Sequence, residues 1–433
     1  PDSNGWYNHA LTVTWNGTDA TSGIDSCTKT PYGGPDNGGA SLPGTCTDVA
    51  GNTSSSVAFN FKYDATPPVL TLAFTPDTPD GMNGWWKTPG GVPFAWTCSD
   101  ATSGIDGTYS GGCPTPLSGT VTTNGTTTFD LQVRDEAGNL SVHVTRTLKL
   151  DNVAPTITWN SAGDSCSLPG NAGWCRGTET AAFTASDTTS GLANLAQASF
   201  PQSTGTNGTA ILIASGSVMD QAGNVASSIN AGPYKIDSIA PTISLTAPGN
   251  GQVYVLNAAI PANYSCNDAT SGVATCSGPV PSGTDFSTTS VGSHSFTVAA
   301  TDEAGNIATS VTNTYSIQFG TCLLYDPTRS VKSGATYPLK LYLCDANNND
   351  VSSPAIVVHA ASIYMVSGFS GAPEDSGNAN PDSDFRFDPT LGPSGGYIFN
   401  LQTKGLSGGT YGYTFTATGD GQTHPILPGF GVK

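Results

Sequence analysis

Apolar and polar residues alternate with a period of two along much of the chain. Leu11, Val13 and Trp15 form one such run, and residues 129–133 form another. Clusters of glycine, asparagine and proline separate these runs. Because the side chains of a β-strand point alternately to opposite faces, this period predicts half-buried antiparallel strands joined by tight turns. We therefore expect an all-β chain.

Three short sequence elements recur along the chain, and internal repeats are a strong signal of architecture. The hairpin element, Asp-x-Ala-Gly-Asn, begins at Asp48, Asp135, Asp220 and Asp302. The turn element, Asp-x-Thr-Ser-Gly with an aromatic residue shortly before it, begins at Asp19, Asp100, Asp187 and Asp268. The linker element, an aspartate followed by a proline and a period-two run, begins at Asp64, Asp151 and Asp237.

The linker elements predict domain boundaries, and the sequence changes character again after residue 319. We expect domains over residues 1–63, 64–150, 151–236, 237–319 and 320–433. About seven short strands in roughly 80 to 90 residues is the size of an immunoglobulin-like sandwich, with the aromatic residue before each turn element in its core. The expected fold is a series of tandem immunoglobulin-like β-sandwiches, here called repeats 1 to 4, followed by a distinct C-terminal β-sandwich.

The linker, turn and hairpin elements together resemble the tandem bacterial immunoglobulin-like repeats of secreted and cell-surface proteins. This resemblance covers residues 1 to about 319. Beyond it, Pro338-Leu339-Lys340-Leu341 and the glycine-rich residues 405–411 resemble the C-terminal β-domain named for its Pro-x-Lys-Phe motif, although Leu341 replaces the phenylalanine. The resemblance implies a secreted bacterial protein and no catalytic role.

Repeat 1 lacks the strand that follows the linker element in repeats 2 to 4. Two interpretations stand. Either the sequence is a fragment whose upstream residues supply the strand, or the groove receives a strand from another copy, because open sheet edges invite strand addition. The second interpretation predicts a head-to-tail polymer. The candidate donor is the chain's own C-terminus, residues 423–433, although Pro425 and Pro428 are poorly suited to a central strand.

The chain contains 10 cysteines, which fall two to each expected domain without a Cys-x-x-Cys motif. This parity predicts intradomain disulfides formed in an oxidising compartment. Each would close a short loop and contribute on the order of 3 kcal/mol by loop-entropy reasoning. The expected pairs are Cys27 with Cys46, Cys98 with Cys113, Cys166 with Cys175, Cys266 with Cys276, and Cys322 with Cys344.

The composition is acidic and poor in charge. Asp and Glu number 32 against 14 Lys and Arg, which gives a net charge of −18, and charged residues make up only 11% of the chain. Such a surface disfavours nucleic acid and anionic membranes. No signal peptide or apolar membrane-spanning run is found, so we expect secretion with any export signal removed before Pro1.

The linker, turn and hairpin elements of repeats 2 to 4 should lie at one pole of each sandwich. Their aspartates would then converge in three clusters: Asp64, Asp100 and Asp135; Asp151, Asp187 and Asp220; Asp237, Asp268 and Asp302. Clustered carboxylates suit Ca²⁺, which prefers hard oxygen ligands. The alternative is that each aspartate caps its own turn. Residues 345–350 resemble the opening of an EF-hand loop, but they lack its glycine and glutamate, so we predict a polar hairpin there.

These observations favour a non-catalytic, extracellular structural protein, a stalk or filament subunit. One alternative is a cell-surface adhesin that binds a glycan or a protein through exposed aromatic residues such as Tyr364, Phe369, Tyr397 and Phe399. The other is a spacer region of a larger secreted enzyme. No histidine cluster or pair of carboxylates indicates an active site within the chain.

Overall fold

The structure is a computed structural model, which describes residues 1–366, 370–374 and 381–433. Nearly all of its regular elements are β-strands, as the period-two pattern predicted. Helical turns among the described residues are limited to three short 3-10 segments, Ser161–Gly163, Leu195–Ala198 and Pro381–Ser383. None of the described residues forms a helix long and apolar enough to cross a membrane.

The chain packs into two compact units. Unit 1 comprises Pro1–Asp164, Thr180–Ser203 and Leu212–Ala231, and unit 2 comprises Ser165–Glu179, Thr204–Ile211 and Gly232–Lys433. Unit 1 therefore contains repeats 1 and 2, and unit 2 contains repeat 4 and the C-terminal domain. The residues of repeat 3 are divided between the two units.

Repeat 1 has a small core and short strands. Its strands are β1 (Trp6–Tyr7), β2 (Leu11–Thr14), β3 (Ile24–Cys27), β4 (Lys29–Tyr32), β5 (Asn37–Gly44), β6 (Cys46–Asp48) and β7 (Val57–Tyr63). Strands β1, β7 and β5 form one sheet, while β2 pairs with β4 and β3 with β6. The buried side chains of this core cluster are Ala40, Phe61 and Tyr63.

Repeat 2 is a complete sandwich. Its strands are β8 (Val69–Phe74), β9 (Trp85–Trp86), β10 (Val92–Ser99), β11 (Ser118–Val121), β12 (Gly125–Leu131) and β13 (Val144–Leu150). One sheet has the order β11-β10-β8 and the other β12-β13-β9. Strand β8 alternates between exposed and buried residues, so that Leu70, Leu72 and Phe74 face the core beside Trp96. This is the strand that follows the linker element, where the sequence predicted it.

Repeat 3 contributes strands to both units. They are β14 (Thr156–Trp159), β15 (Ser165–Cys166), β16 (Trp174–Cys175), β17 (Glu179–Ser186), β18 (Ser199–Thr204), β19 (Gly208–Ala214), β20 (Val218–Met219), β21 (Val225–Ala226) and β22 (Asn230–Ile236). In unit 1, β14 pairs antiparallel with β17, as β8 pairs with β10 in repeat 2. In unit 2, β16 pairs in parallel with the end of β22.

Repeat 4 has the two sheets of a sandwich. Its strands are β23 (Thr242–Ala247), β24 (Gln252–Val255), β25 (Asn263–Asn267), β26 (Val273–Ser277), β27 (Gly292–Asp302) and β28 (Val311–Gln318). Strand β23 pairs with β25, and the second sheet has the order β24-β28-β27-β26. Tyr264, the aromatic residue before the turn element, packs against Phe296 in the core, as predicted.

The C-terminal domain is a sandwich of two larger sheets with an aromatic core. Its strands are β29 (Gly320–Leu323), β30 (Ser330–Val331), β31 (Thr336–Cys344), β32 (Val358–Met365), β33 (Ser370–Gly371), β34 (Arg386–Asp388), β35 (Gly396–Gln402), β36 (Gly409–Ala417) and β37 (Thr423–Val432). The sheet orders are β29-β31-β35-β34 and β30-β37-β36-β32-β33.

The position of strand β37 contradicts the prediction that the C-terminal residues 423–433 are a candidate donor strand. The C-terminal residues are not free, because β37 lies between β30 and β36 and its Phe430 is completely buried. Strand β30 pairs only with Gly431 and Val432, so β36 is the single described partner of the stretch with Pro425 and Pro428. A proline lacks an amide donor and tolerates an edge of this kind. The C-terminus is thus part of its own domain, and removing it would disrupt the core.

All five expected disulfides are present, which confirms the cysteine pairing. The described chain has no free cysteine. Each bond links residues between 9 and 22 positions apart, so each closes a local loop.

Candidate functional site

The structure brings the predicted aspartates together in three clusters. In each cluster, a linker, a turn and a hairpin aspartate offer carboxylate oxygens within 4.8 Å of one another. The reason is topological, because the three elements meet at the same end of the sandwich. The first two clusters lie in unit 1, and the third, with Asp237, Asp268 and Asp302, lies in unit 2. Their convergence was predicted, and occupancy by Ca²⁺ stays a prediction.

Main-chain amides hold the carboxylates of the first cluster in place. The amide of Ser103 donates to Asp64 Oδ2 at 2.9 Å. The amides of Thr102 and Gly104 donate to Asp100 Oδ1 at 3.0 and 2.7 Å. The bonds to Asp100, and the one from the amide of Thr66 to Asp64 Oδ1 at 3.1 Å, are the turn caps of the alternative interpretation, whereas Ser103 links the turn to the linker. The aspartates therefore cap their turns and converge as well.

The hairpin asparagine connects two of the three elements. In repeat 2, the amide of Asn139 donates to Asp135 Oδ1, and its Nδ2 donates to Asp135 Oδ2, both at 2.8 Å. The same Nδ2 donates to the main-chain oxygen of Asp64 at 2.9 Å. Asn224 and Asn306 make the equivalent bonds to Asp151 and Asp237, also at 2.9 Å. One side chain thereby fastens the linker to the hairpin in each repeat.

In every cluster, the same carboxylate oxygen of the turn aspartate accepts none of the described hydrogen bonds. The turn aspartates Asp100, Asp187 and Asp268 accept their described hydrogen bonds through Oδ1, and Oδ2 accepts none. The linker and hairpin aspartates use both oxygens. A cation ligand requires a lone pair that no amide occupies, and each cluster has such an oxygen at its turn aspartate.

Burial makes the clusters electrostatically unusual. Asp64 and Asp135 are fully buried, and so are Asp151, Asp220 and Asp237. Desolvation, together with the negative charges of Asp64 and Asp100, raises the pKa of Asp135, although bonds from Asn139 oppose this shift. Grouped buried carboxylates are costly unless they are paired or bind a metal. Carboxylate oxygens grouped in this way are the ligands that hard cations such as Ca²⁺ prefer.

The hairpins also contact the preceding repeat. In unit 1, the amide of Met82 donates to Ala222 O at 2.8 Å, and Asn83 Nδ2 donates to Gln221 O at 2.9 Å. In unit 2, the amide of Asn171 donates to Ala304 O at 2.9 Å. The loop that ends in Gly-Trp in one repeat therefore docks on the hairpin element of the next. Sequence reasoning missed this contact, although the recurrence of Asn-Gly-Trp at Asn4 and Asn83 was a signal for it.

The predicted polar hairpin at residues 345–350 is a fifth hairpin of this kind. The amide and Nδ2 of Asn349 donate to Asp345 Oδ1 and Oδ2, as Asn139 does to Asp135. Asn348 adopts a positive φ of 61°, the position that glycine takes in the repeats. Asn257 of repeat 4 donates to Asp345 Oδ2 at 3.0 Å, and this bond and those from Asn349 lower the pKa of Asp345 to about 2.

Repeat 1 has an open strand site. Strand β2 corresponds to β10 of repeat 2, whose two edges pair with β11 and β8. One edge of β2 pairs with β4, and no described strand covers the other edge, along residues 13–18. The expected vacancy of the first strand is therefore present in the described chain.

A groove of about 420 Å³ lies along this open edge. Trp15, Gly17, Cys46 and Val57 are among its lining residues. Trp15 is only half-buried, whereas its counterpart Trp96 is 9% exposed beneath β8. The indole Nε1 of Trp15 donates to Val57 O at 3.0 Å, which holds the ring at the groove. Core positions of repeat 1 are thus accessible where β8 covers them in repeat 2.

Two of the four aromatic residues expected to form an adhesin's surface patch are buried. Tyr397 is 1% exposed and Phe399 is completely buried, because both belong to β35 in the core of the C-terminal domain. Tyr364 is half-buried on β32, and Phe369 lies outside the described residues. The alternation of strand β35 turns the rings of Tyr397 and Phe399 inward, which weakens the adhesin interpretation.

Comparisons with known proteins add little to these observations. No family model matches the chain, and no curated protein matches it. Among solved structures, the D00-D0 domain of Intimin is 11% identical with a TM-score of 0.16, over 42% of this chain and 96% of that one. Sidekick-1 immunoglobulin domains 1-5 are 12% identical with a TM-score of 0.21, over 99% of this chain and 96% of that one.

A third solved structure contains the N-terminal eight Ig domains of Down Syndrome Cell Adhesion Molecule. It is 9% identical with a TM-score of 0.19, over 99% of this chain. The chain spans 58% of that structure's length. Likeness at these scores carries no argument about function, so the functional conclusion depends on the strands, clusters and groove described above.

Proposed function

We propose that this chain is a non-catalytic, extracellular structural protein, a stalk or filament subunit whose copies join by strand addition into repeat 1. The observation that carries the proposal is the open edge along residues 13–18, with half-buried Trp15 beside it. An edge and an accessible core strip together form an acceptor for an extended strand. The five disulfides support folding in an oxidising compartment, as outside a cell.

The size of the vacancy supports a stable joint. In repeat 2 the corresponding strand buries Leu70, Leu72 and Phe74, which are at most 7% exposed. Burying each such side chain stabilises by roughly 1.5 to 3 kcal/mol, and the added backbone hydrogen bonds contribute further. A strand of this kind from another copy would link subunits head to tail.

Calcium at the three aspartate clusters is a second part of the proposal. Buried carboxylates within 4.8 Å and an unengaged Oδ2 on each turn aspartate support it. Bound Ca²⁺ would offset the repulsion among the carboxylates and hold linker, turn and hairpin together. Because the same hairpins dock on the preceding repeat, the ion would stiffen those junctions. We also propose that the C-terminal domain is related to the β-domain named for its Pro-x-Lys-Phe motif.

Two alternatives to this proposal are a cell-surface adhesin and a spacer region of a larger secreted enzyme. An adhesin would bind a surface glycan or protein, and the burial of Tyr397 and Phe399 takes two of the four named rings out of its expected patch. A spacer of a larger secreted enzyme would have the same repeats, but its repeat 1 would be filled by upstream residues of its own polypeptide. The experiment on strand addition therefore separates it from a filament subunit.

A self-filled variant tests the proposal. Residues 64–74, which fill the corresponding site of repeat 2, are fused ahead of repeat 1 in the full chain through a flexible linker. We expect this variant to stay monomeric under conditions in which the native protein assembles, because its groove is occupied in cis. The matched control carries Leu70, Leu72 and Phe74 of the fused segment as serines and should assemble normally. Equal assembly of both variants would contradict strand addition.

A further inference from the structure

Repeat 1 contains two parts of an aspartate cluster. Asp19 occupies the turn position that Asp100 holds in repeat 2, and Asp48 occupies the hairpin position of Asp135. Both line the groove beside residues 13–18. No described residue stands at the linker position, because in repeats 2 to 4 that aspartate comes just before the strand that repeat 1 lacks. The absence of one segment from the described residues therefore accounts for both the incomplete cluster and the open edge.

The hydrogen bonds around this vacancy differ from those of the complete repeats. In repeats 2 to 4, the amide of the turn serine donates to Oδ2 of the linker aspartate, at 2.9 Å for Ser103 and 3.0 Å for Ser190 and Ser271. In repeat 1, the amide and Oγ of Ser22 turn back to Asp19 Oδ2, at 3.2 and 2.9 Å. The amide of Ser22, which corresponds to the amides that donate to the linker aspartate in repeats 2 to 4, thus donates within its own turn instead.

The hairpin asparagine shows the same difference. Asn52 Nδ2 donates to Asp48 Oδ2 at 2.8 Å, as its counterparts do within their own hairpins. Its counterparts Asn139, Asn224 and Asn306 donate in addition to the main-chain oxygen of the linker aspartate, each at 2.9 Å. Repeat 1 therefore has donors from Ser22 and Asn52 placed for a linker aspartate that the described residues do not supply.

We propose that the segment entering repeat 1 is led by an aspartate, which joins Asp19 and Asp48 to complete a fourth three-carboxylate cluster. This inference rests on the proposed function, in which another copy supplies the strand. About four or five residues after the aspartate, the segment continues as a strand with alternating apolar side chains, antiparallel to residues 13–18. Repeat 2 has this arrangement in residues 64–74, where β8 pairs antiparallel with β10.

No described segment of the chain is free to play this part. The three segments of the required pattern begin at Asp64, Asp151 and Asp237, and their strands β8, β14 and β23 already pair within repeats 2 to 4. Strand β37 pairs within the C-terminal domain. The donor segment is therefore identified by its chemistry, as an aspartate-led apolar strand, and by none of the described segments of this chain.

A peptide with the sequence of residues 64–74 is the probe. It is added to the full chain in calcium-containing buffer, and hydrogen exchange is measured at residues 13–18, with residues 94–99 as an internal control because β8 already covers them. We expect protection at residues 13–18 only. A peptide in which Asp64 is replaced by alanine loses both carboxylate acceptors and should bind about tenfold more weakly, in line with the loss of a cap. A peptide with L70S and L72S should give no protection.

The outcomes separate this inference from the proposed function. Equal binding of the aspartate and alanine peptides would overturn the aspartate-led donor, and absence of protection with every peptide would overturn the whole inference. Neither result bears on assembly, which the self-filled variant measures on its own. Protection by the peptide in a protein whose copies never join would uphold the inference and contradict the filament proposal.

Discussion

At the scale of single residues, an aspartate in repeats 2 to 4 has two roles. The turn aspartate Asp100 accepts amides of its own turn through Oδ1, and its carboxylate has an oxygen within 4.8 Å of those of two buried aspartates. The first role stabilises the turn without any ion, and the second groups its negative charge with those of two buried carboxylates. Substitution of one oxygen separates the two roles.

Asp100→Asn should remove the calcium effect and spare the turn. An asparagine Oδ1 still accepts the amides of Thr102 and Gly104, because asparagine caps almost as well as aspartate. We expect Ca²⁺ to slow hydrogen exchange at residues 99–106 in the wild type and to have little effect in the variant. Asp130→Asn, at a residue whose side chain is 58% exposed, is the matched control and should behave as the wild type. An unchanged calcium effect in Asp100→Asn would exclude this site.

Asp106 should make repeat 2 sensitive to acid. Bonds from Thr108 and Arg134 lower the pKa of this carboxyl to about 2. A lowered pKa means that the folded state favours the ionised form, so its contribution is present above about pH 4 and is lost as the pH falls towards 2. In acid unfolding followed by exchange at β12 and β13, Asp106→Asn should show a weaker dependence on pH in this range. A parallel pH dependence in the two proteins would contradict this assignment, and Asp130→Asn serves again as control.

At the scale of elements, the hairpin is the unit that the sequence predicts best. Its positive-φ glycine and its Asp–Asn bonds follow from Asp-x-Ala-Gly-Asn, and the convergence of aspartates follows from the topology of a sandwich. The fifth hairpin was predicted only as a polar turn, because Asn348 stands where the repeats have glycine. The docking of one repeat's loop on the next hairpin was not predicted. The recurrence of Asn-Gly-Trp marks the loop as a repeated element, but nothing in the sequence pattern indicates which surface that loop contacts.

Substitutions at two hairpin glycines separate the free-energy cost of a strained backbone from the cost of losing the contact with the docked loop. Gly51 and Gly305 have φ of 90° and 95°, so alanine at either position is strained by roughly 1 to 2 kcal/mol. A Cβ at Gly305 would lie 2.9 Å from Asn171 Nδ2 of the docked loop, whereas a Cβ at Gly51 meets nothing within 4 Å. Gly305→Ala should therefore increase hydrogen exchange in its hairpin and at residues 170–172, and Gly51→Ala only in its own hairpin. Unchanged exchange at residues 170–172 would show that the hairpin does not hold the loop.

At the scale of the whole molecule, each disulfide lies within one predicted domain, and the described sheets likewise draw their strands from one predicted domain each. The sequence predicted the all-β class and the vacancy in repeat 1, because both depend on patterns repeated within the chain. It misjudged residues 423–433 as a donor. Pro425 and Pro428 indicated that these residues would be poor in a central strand. The strand pairs on one side alone at the prolines, which accommodates them, and Phe430 is buried in the core.

The most direct test of the central claim is an electron microscopy reconstruction of the protein's native assembled material. We predict that copies are joined and that an extended strand from a neighbouring copy lies along residues 13–18, antiparallel to them and with alternate side chains directed towards Trp15. An empty edge, or a strand continuous with the same polypeptide as repeat 1, would contradict strand addition between copies.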